Sequence, residues 1–365
     1  AVAPLFQEEF DVTVQSEFGE LGSPTYNSQL LTQLQGGSAP DVIAAFPGSG
    51  TSAPNMGTLA EADRLLDLSD TEWGQNVPDS LRNAVSYDGK VYGAIYGLQF
   101  GAIIYNTDLF DQYGLTPPTT FDELTDLVGE IRTKSPDSIP IAFGSSNSAI
   151  SMIVTSMFAV NEPDFDGDDL DFSSSDAWQG ALDQLVELQK AGAYAPSVAT
   201  DDANAVVTQM TGGQAFMVID VTSRYSAIKK ADPNAPIAMV PYPADDADDQ
   251  QMLIWPGTTQ VVNADTKSPN AARQWVDYVT SAEINQTWTE AAGGAEFPPT
   301  QLGNPEAWPT QFEGLKKSSE RTVLIPAMSW PSGDVGTALG QGVAAILLGA
   351  KSVDDVLAEM TTAAG

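Results

Sequence analysis

Cysteine and histidine are both absent from the 365 residues. That excludes disulfides, cysteine-based zinc sites, Ser-His-Asp triads and histidine general bases. Positive charge is scarce: 15 Lys and Arg stand against 49 Asp and Glu, a formal net charge of −34. Nucleic acid and anionic lipid both call for a basic surface, so neither is an expected partner. No apolar run reaches the ~18 residues of a membrane span, and no signal segment is visible. If the protein is exported, its targeting segment is expected to lie upstream and to have been removed. No cofactor and no metal is expected.

Hydrophobic residues make up 42% and aromatics 8%, which indicates a folded globule. The length suits two lobes with ample core. Strands and helices alternate from one end to the other without an internal repeat, which predicts an α/β fold with largely parallel sheets.

The most informative stretch runs from Tyr87 to Leu109. Asp88-Gly89 is a tight-turn pair. Val91 to Ile95 reads as a strand, Gly97 to Gly101 as a break, and Phe100 to Tyr105 as a second apolar run. Asn106-Thr107-Asp108 opens a helix by side-chain capping. Tyr113-Gly114-Leu115, Pro117-Pro118 and Phe121-Asp122-Glu123-Leu124 follow, the last from a capping box begun at Thr120. Taken in this order, Asp88 to Leu124 resembles the extracellular solute-binding proteins of ABC importers, the carbohydrate-binding group that includes the maltose-binding proteins. The helix Tyr26 to Gln35, its Gly36-Gly37 stop and Pro40-Asp41-Val42-Ile43 resemble the family too. So does the ending, Leu348-Gly349-Ala350-Lys351-Ser352-Val353-Asp354-Asp355.

The resemblance implies a two-lobe periplasmic-binding-protein-like fold of type II, with the ligand cleft between hinged lobes. It implies discontinuous lobes, 1–105 plus 257–305 and 106–256 plus 306–365, with crossovers near Tyr105, Trp255 and Pro305. It implies a non-catalytic sugar carrier that works with a membrane permease, as an extracellular, cell-surface lipoprotein or periplasmic protein and as a monomer. The family places a strand ahead of its first helix. Here the chain opens on Pro4 to Phe10, which looks like the end of that helix, with a strand expected at Val12 to Ser16.

Ligand contacts are expected where the family has them. Gln99 and Phe100 sit in its variable ligand-facing segment. Phe46 ends a strand before a cleft-lining loop, with an ordinary core position as the alternative. Asn147 lies in the polar loop Gly144 to Asn147, which could equally be a plain turn. Asp220, Arg224 and Tyr225 sit at a strand-to-helix turn, where unpaired amides face outward; a structural cap is the competing role for Asp220. Glu296 and Phe297 belong to the Gly-rich segment from Gly293. Trp330 lies on a loop that donates an aromatic to sugar in relatives. Trp255 also stands on its own chemistry, because an indole between strand end, Pro and Gly suits stacking on an apolar sugar face better than a core slot. Trp178, by contrast, shares a helical stripe with Leu182, Leu185 and Leu188 and is expected in the core.

Two rival readings remain. A glycoside hydrolase or lyase needs only two carboxylates, yet nothing pairs two on barrel strand ends. A binding protein for peptides, polyamines or metal keeps the fold and changes the cargo. The acidic run Glu162 to Asp171 fails as an EF-hand: counted from Asp164, the sixth residue is Asp169 and the twelfth Ser175, where Gly and Glu are needed. It reads as a solvated loop, as do Asp245, Asp246, Asp248 and Asp249.

Overall fold

A computed structural model describes every residue except 1, 18–20, 22–23, 51–53, 145–153, 156, 159–161, 163–169, 199, 258, 285–286, 288–295, 298, 319–320, 326–329 and 332, and the side chains of 24, 300 and 307. Asn147 and the run Asp164 to Asp169 therefore lie outside the described residues. Eleven strands are described: β1 (Val42–Ala45), β2 (Ser86–Tyr87), β3 (Lys90–Val91), β4 (Gly93–Ile95), β5 (Gln99–Asn106), β6 (Ile139–Ala142), β7 (Ala215–Val221), β8 (Ile237–Val240), β9 (Met252–Trp255), β10 (Thr259–Val262) and β11 (Thr322–Leu324). The chain divides into two compact units. One comprises Ala1–Gln99, Pro256–Gly303 and Met328–Gly333, the other Phe100–Trp255, Asn304–Ala327 and Asp334–Gly365.

The first unit is built on a three-stranded sheet in the order β1-β10-β4. Leu30 and Leu34 of the helix Pro24–Gly36 pack with Ile43, Ala45, Met56, Leu59 and Val261 to form its core. The helix Val2–Phe10 lies against the helix Pro269–Thr280 through an aromatic cluster. Phe6 meets Trp275 edge-on at 5.1 Å and Tyr278 at 5.2 Å, and Phe10 meets Tyr278 at 5.5 Å. The Asp88-Gly89 turn joins β2 to β3; both residues have positive φ, 47° and 73°, as a tight two-residue hairpin demands. The strand expected at Val12 to Ser16 does not form: these residues carry no regular secondary structure and pair with no described strand.

The second unit carries a six-stranded sheet, β11-β9-β5-β7-β6, with β8 also paired to β5. Amphipathic helices Phe121–Lys134 and Asp176–Lys190 bury Leu124, Leu127, Val128 and Ile131, and Trp178, Leu182, Leu185 and Leu188. Trp178 stacks on Phe158 at 4.0 Å, in the core as expected. Local signals place the helix starts. Thr120 and Glu123 complete their capping box, Asn106 accepts from the Leu109 amide at 3.0 Å, and Ser352 caps the last helix.

One expectation is corrected. The sheets are not largely parallel: of the pairings whose direction is described, β6–β7 and β9–β11 are parallel, while β1–β10, β10–β4, β2–β3, β5–β7 and β5–β8 are antiparallel. Alternation of helix and strand fixes direction only when each strand joins the sheet beside its predecessor. β10 returns to a sheet the chain left long before. The first compact unit runs to Gln99 and the second begins at Phe100. Gly101 to Tyr105 pair residue by residue with β7, which commits this run to the second unit.

Candidate functional site

Register assembles the most distinctive polar arrangement in the first unit. Thr259 of β10 pairs with Ile95 of β4. Continuing that antiparallel register two residues brings Gly257 opposite Gly97. Just beyond, Leu98 and Phe297 form an isolated antiparallel bridge, each amide donating to the other's carbonyl at 2.7 Å. This brings Glu296 alongside Gln99. A Cβ on Gly97 would stand 2.4 Å from Glu296 Oε2 and 2.9 Å from its Cδ, so only glycine lets the carboxyl lie there. A Cβ on Gly257 would stand 3.6 Å from the Gly97 carbonyl oxygen, 3.7 Å from Gln99 Nε2 and 3.8 Å from Glu296 Oε1. Three polar groups thus converge on the face of Gly257.

Glu296 is mostly buried, and burial raises its carboxyl pKa above the ordinary 4.5. No described lysine or arginine pairs with it. A folded-state pKa above the unfolded value means the folded chain holds its proton more tightly. The stability this gives is complete below about pH 4.5 and is lost as pH rises through the raised value. Glu296→Gln is therefore expected to raise the melting temperature at pH 8, by about 1–3 °C, and to leave it unchanged at pH 4. Parallel thermal melts at the two values check this.

The other expected residues fall into three groups. Phe46 and Trp255 are half-buried at strand ends, Phe46 just after β1 and Trp255 as the last residue of β9. Asp220, Arg224 and Tyr225 sit together at the β7-to-helix turn. Arg224 Nε donates to Asp220 Oδ2 at 2.8 Å and its Nη1 to the Ala203 carbonyl at 3.1 Å; the other Asp220 oxygen accepts from the Val221 amide at 2.8 Å. Asp220 thus serves as neither a free acceptor nor a side-chain cap on the helix Thr222–Ala231. It anchors Arg224. Tyr225 is half-buried, with Lys229 Nζ 5.9 Å from its ring centroid. Burial raises its hydroxyl pKa.

Three of the expected aromatics lie in the protein interior. Phe100, Phe297 and Trp330 are fully buried. The Phe100 ring is stacked on Trp308 at 5.8 Å and met edge-on by Phe312 at 5.6 Å, so its faces are occupied by protein. Its amide donates to Thr222 Oγ1 at 3.3 Å. Phe297 is held inward by its bridge to Leu98. Burial of all three rings is compatible with a packing role, which remains an alternative to ligand contact for each. Gly97 was expected only in the break between two strands, and Gly257 only as a neighbour of Trp255. An isolated glycine at a strand end is also the mark of close backbone approach, and that signal could have found them. Among the described residues no three metal-ligating side chains cluster. The acidic run from Asp245 is spent locally: Asp246 accepts from the Asp248 amide, and Asp249 pairs with Arg321 at 2.8 Å.

Residues 1–310 match the model of the family described as bacterial extracellular solute-binding protein. This chain belongs to that family. An uncharacterized ABC transporter extracellular-binding protein of Pyrococcus horikoshii is 24% identical over 349 residues, spanning 91% of this chain and 73% of that protein. Among solved structures, a chitin oligosaccharide binding protein superposes with a TM-score of 0.80 at 20% identity, covering 100% of this chain and 92% of the other. An ABC transporter solute-binding protein of Thermotoga lettingae, solved bound with alpha-D-tagatose, gives 0.78 at 20% identity, with 100% and 95% covered. At these identities the likeness carries the fold, a mixed α/β two-domain solute-binding fold. The solute-binding protein is a binder and not an enzyme, and its family is extracellular. The glycosidase reading is thereby set aside.

Proposed function

We propose that this chain binds a carbohydrate, an oligosaccharide, and delivers it unaltered to the permease of an ABC importer, acting as a monomer that is lipid-anchored or periplasmic. The observation that carries this reading is the set of glycine-flanked polar groups at Gly257, two residues after the half-buried indole of Trp255. Sugars present both faces of chemistry: hydroxyls for carboxylates and amides, and C–H surfaces for rings. Gln99 and Glu296 supply the first. Phe46 in the first unit is a ring suited to the second; within the second unit, considered by itself, Trp255 and Tyr225 offer rings and Arg224 is oriented by Asp220. The sugars named for both similar structures, tagatose and chitin oligosaccharide, support the same cargo class.

The test is a thermal-shift screen of mono-, di- and oligosaccharides alongside a peptide library. The melting temperature is expected to rise with one saccharide or a few close kin. A flat response to every sugar with a hit among peptides would falsify the carbohydrate reading. Trp255→Ala is expected to weaken binding of the responding sugar by about 1–3 kcal/mol, the range for losing one stacked aromatic contact. Calorimetric titration measures it. An unchanged affinity with a lowered melting point would make Trp255 a packing residue.

A further inference from the structure

We propose that Glu296 is the specificity-determining residue of this site: its carboxylate, set between Gly97 and Gly257 beside the Gln99 amide, takes hydrogen-bond donors from a neutral or aminated saccharide and turns acidic saccharides away. The proposal rests on the carbohydrate reading above and narrows it.

Three observations lead to it. The carboxyl is seated by construction, because the bridge between Leu98 and Phe297 fixes the backbone on both sides and Gly97 leaves no side chain where Oε2 lies. It is also unspent. It accepts no hydrogen bond from the described residues and has no ion-pair partner among them, and its oxygens are not among the fully buried unpaired atoms, so they stay open to an incoming donor. Finally, the space beside it is open. The groups around Gly257 stand at ordinary contact distance from a missing methyl, with no backbone or side chain closer. A carboxylate seated by its backbone, unpaired and still accessible, is placed to accept from a ligand that brings donors.

The sign of charge follows. Among the described atoms nearest a Cβ at Gly97 and Gly257, the titratable group is this carboxyl, beside an amide and a carbonyl. Glu296 itself has no ion-pair partner among the described residues. The whole chain carries −34. A uronate would therefore bring like charge into a site with no free counter-charge, and like charges brought together in a partly buried setting repel strongly. Sugar hydroxyls supply donors without this cost, and an ammonium supplies them with added attraction.

Matched probes test the proposal on the full chain by calorimetry at pH 7.5. Maltotetraose, cellotetraose and galactotetraose are each paired with a derivative in which the hydroxymethyl groups are oxidised to carboxylates, and tetraglucosamine is added as the aminated probe. A neutral or aminated tetrasaccharide is expected to bind, with its oxidised counterpart at least about tenfold weaker. Glu296→Gln keeps shape and removes charge, so it is expected to weaken the neutral ligand about tenfold and to narrow the gap to its uronate. Gly257→Ala supplies a second variant that the fold accommodates, since the new methyl meets only ordinary contacts. It is expected to abolish binding by filling the space while leaving the melting temperature nearly unchanged.

Oxidised probes that bind as tightly as their parents would overturn the inference and leave the carbohydrate reading standing. So would a Glu296→Gln protein that melts normally with the same neutral-to-acidic ratio. No binding by any saccharide, with capture of a peptide instead, would remove both.

Discussion

Lowering the ionic strength from about 1 M to about 0.01 M, which stretches the Debye length from about 3 Å to about 30 Å, is expected to lower the melting temperature by about 10 °C or more. The reason is arithmetic. With 49 acidic side chains and 15 basic ones, 49 − 15 leaves 34 carboxylates that no cation can match even if every base is paired. Those carboxylates occupy a folded surface much smaller than the unfolded chain, so folding concentrates like charge. Salt relieves that repulsion in the folded state more than in the unfolded one. The described ion pairs do not offset it. Most are exposed and of the weak surface kind, such as Lys90 with Asp67 at 4.0 Å or Arg64 with Asp265 at 4.0 Å. Melts in NaCl and KCl from 0.01 to 1 M measure the effect. Screening predicts similar curves for the two salts and most of the gain before 0.5 M. A melting temperature that stays flat below 0.5 M would show that the charge surplus does not govern stability.

Phe100→Ala is expected to destabilise the second unit by about 3–5 kcal/mol, the range for removing a fully buried aromatic ring. The ring has no solvent exposure, and Trp308 and Phe312 close on it from two directions. Truncation leaves a cavity that two large neighbours can only partly collapse into. Sugar affinity, measured well below the lowered melting point, should stay near the wild-type value. Chemical denaturation gives the first quantity and titration calorimetry the second. A loss of affinity without a change in stability would place Phe100 in the ligand-contact set.

The contrast between Phe100 and Trp178 shows what a sequence makes legible. Trp178 declares its role because Leu182, Leu185 and Leu188 share its helical stripe; the evidence lies within three turns. Phe100 sits in a strand whose neighbours are decided elsewhere. Its ring meets residues two hundred positions downstream, and nothing local distinguishes a covered aromatic from an offered one. Trp330 and Phe297 are obscure for the same reason. Helix starts are legible because caps are local: Thr120 with Glu123, Asn106 with the Leu109 amide, Ser352 with Asp355. Strand direction is not, since β10 enters its sheet from a distant part of the chain. The same holds for Glu296. Its residue type and its Gly-rich segment marked it as a candidate, but its seat depends on two glycines, 97 and 257, that only the register between β4 and β10 brings face to face. The division of the chain also held one surprise, the short return of Met328–Gly333 to the first unit.

The place of β10 at the centre of the order β1-β10-β4 bears on how the protein is made. Its amino-terminal 99 residues contain both outer strands yet lack the one that joins them, which begins at Thr259. During synthesis this half-sheet must wait, its edges unpaired and its apolar face open, while the intervening unit is completed. The segment carrying β1 and β4 is thus translated well before it can complete its sheet, and a nascent chain halted before Val262 should remain protease-sensitive around those two strands.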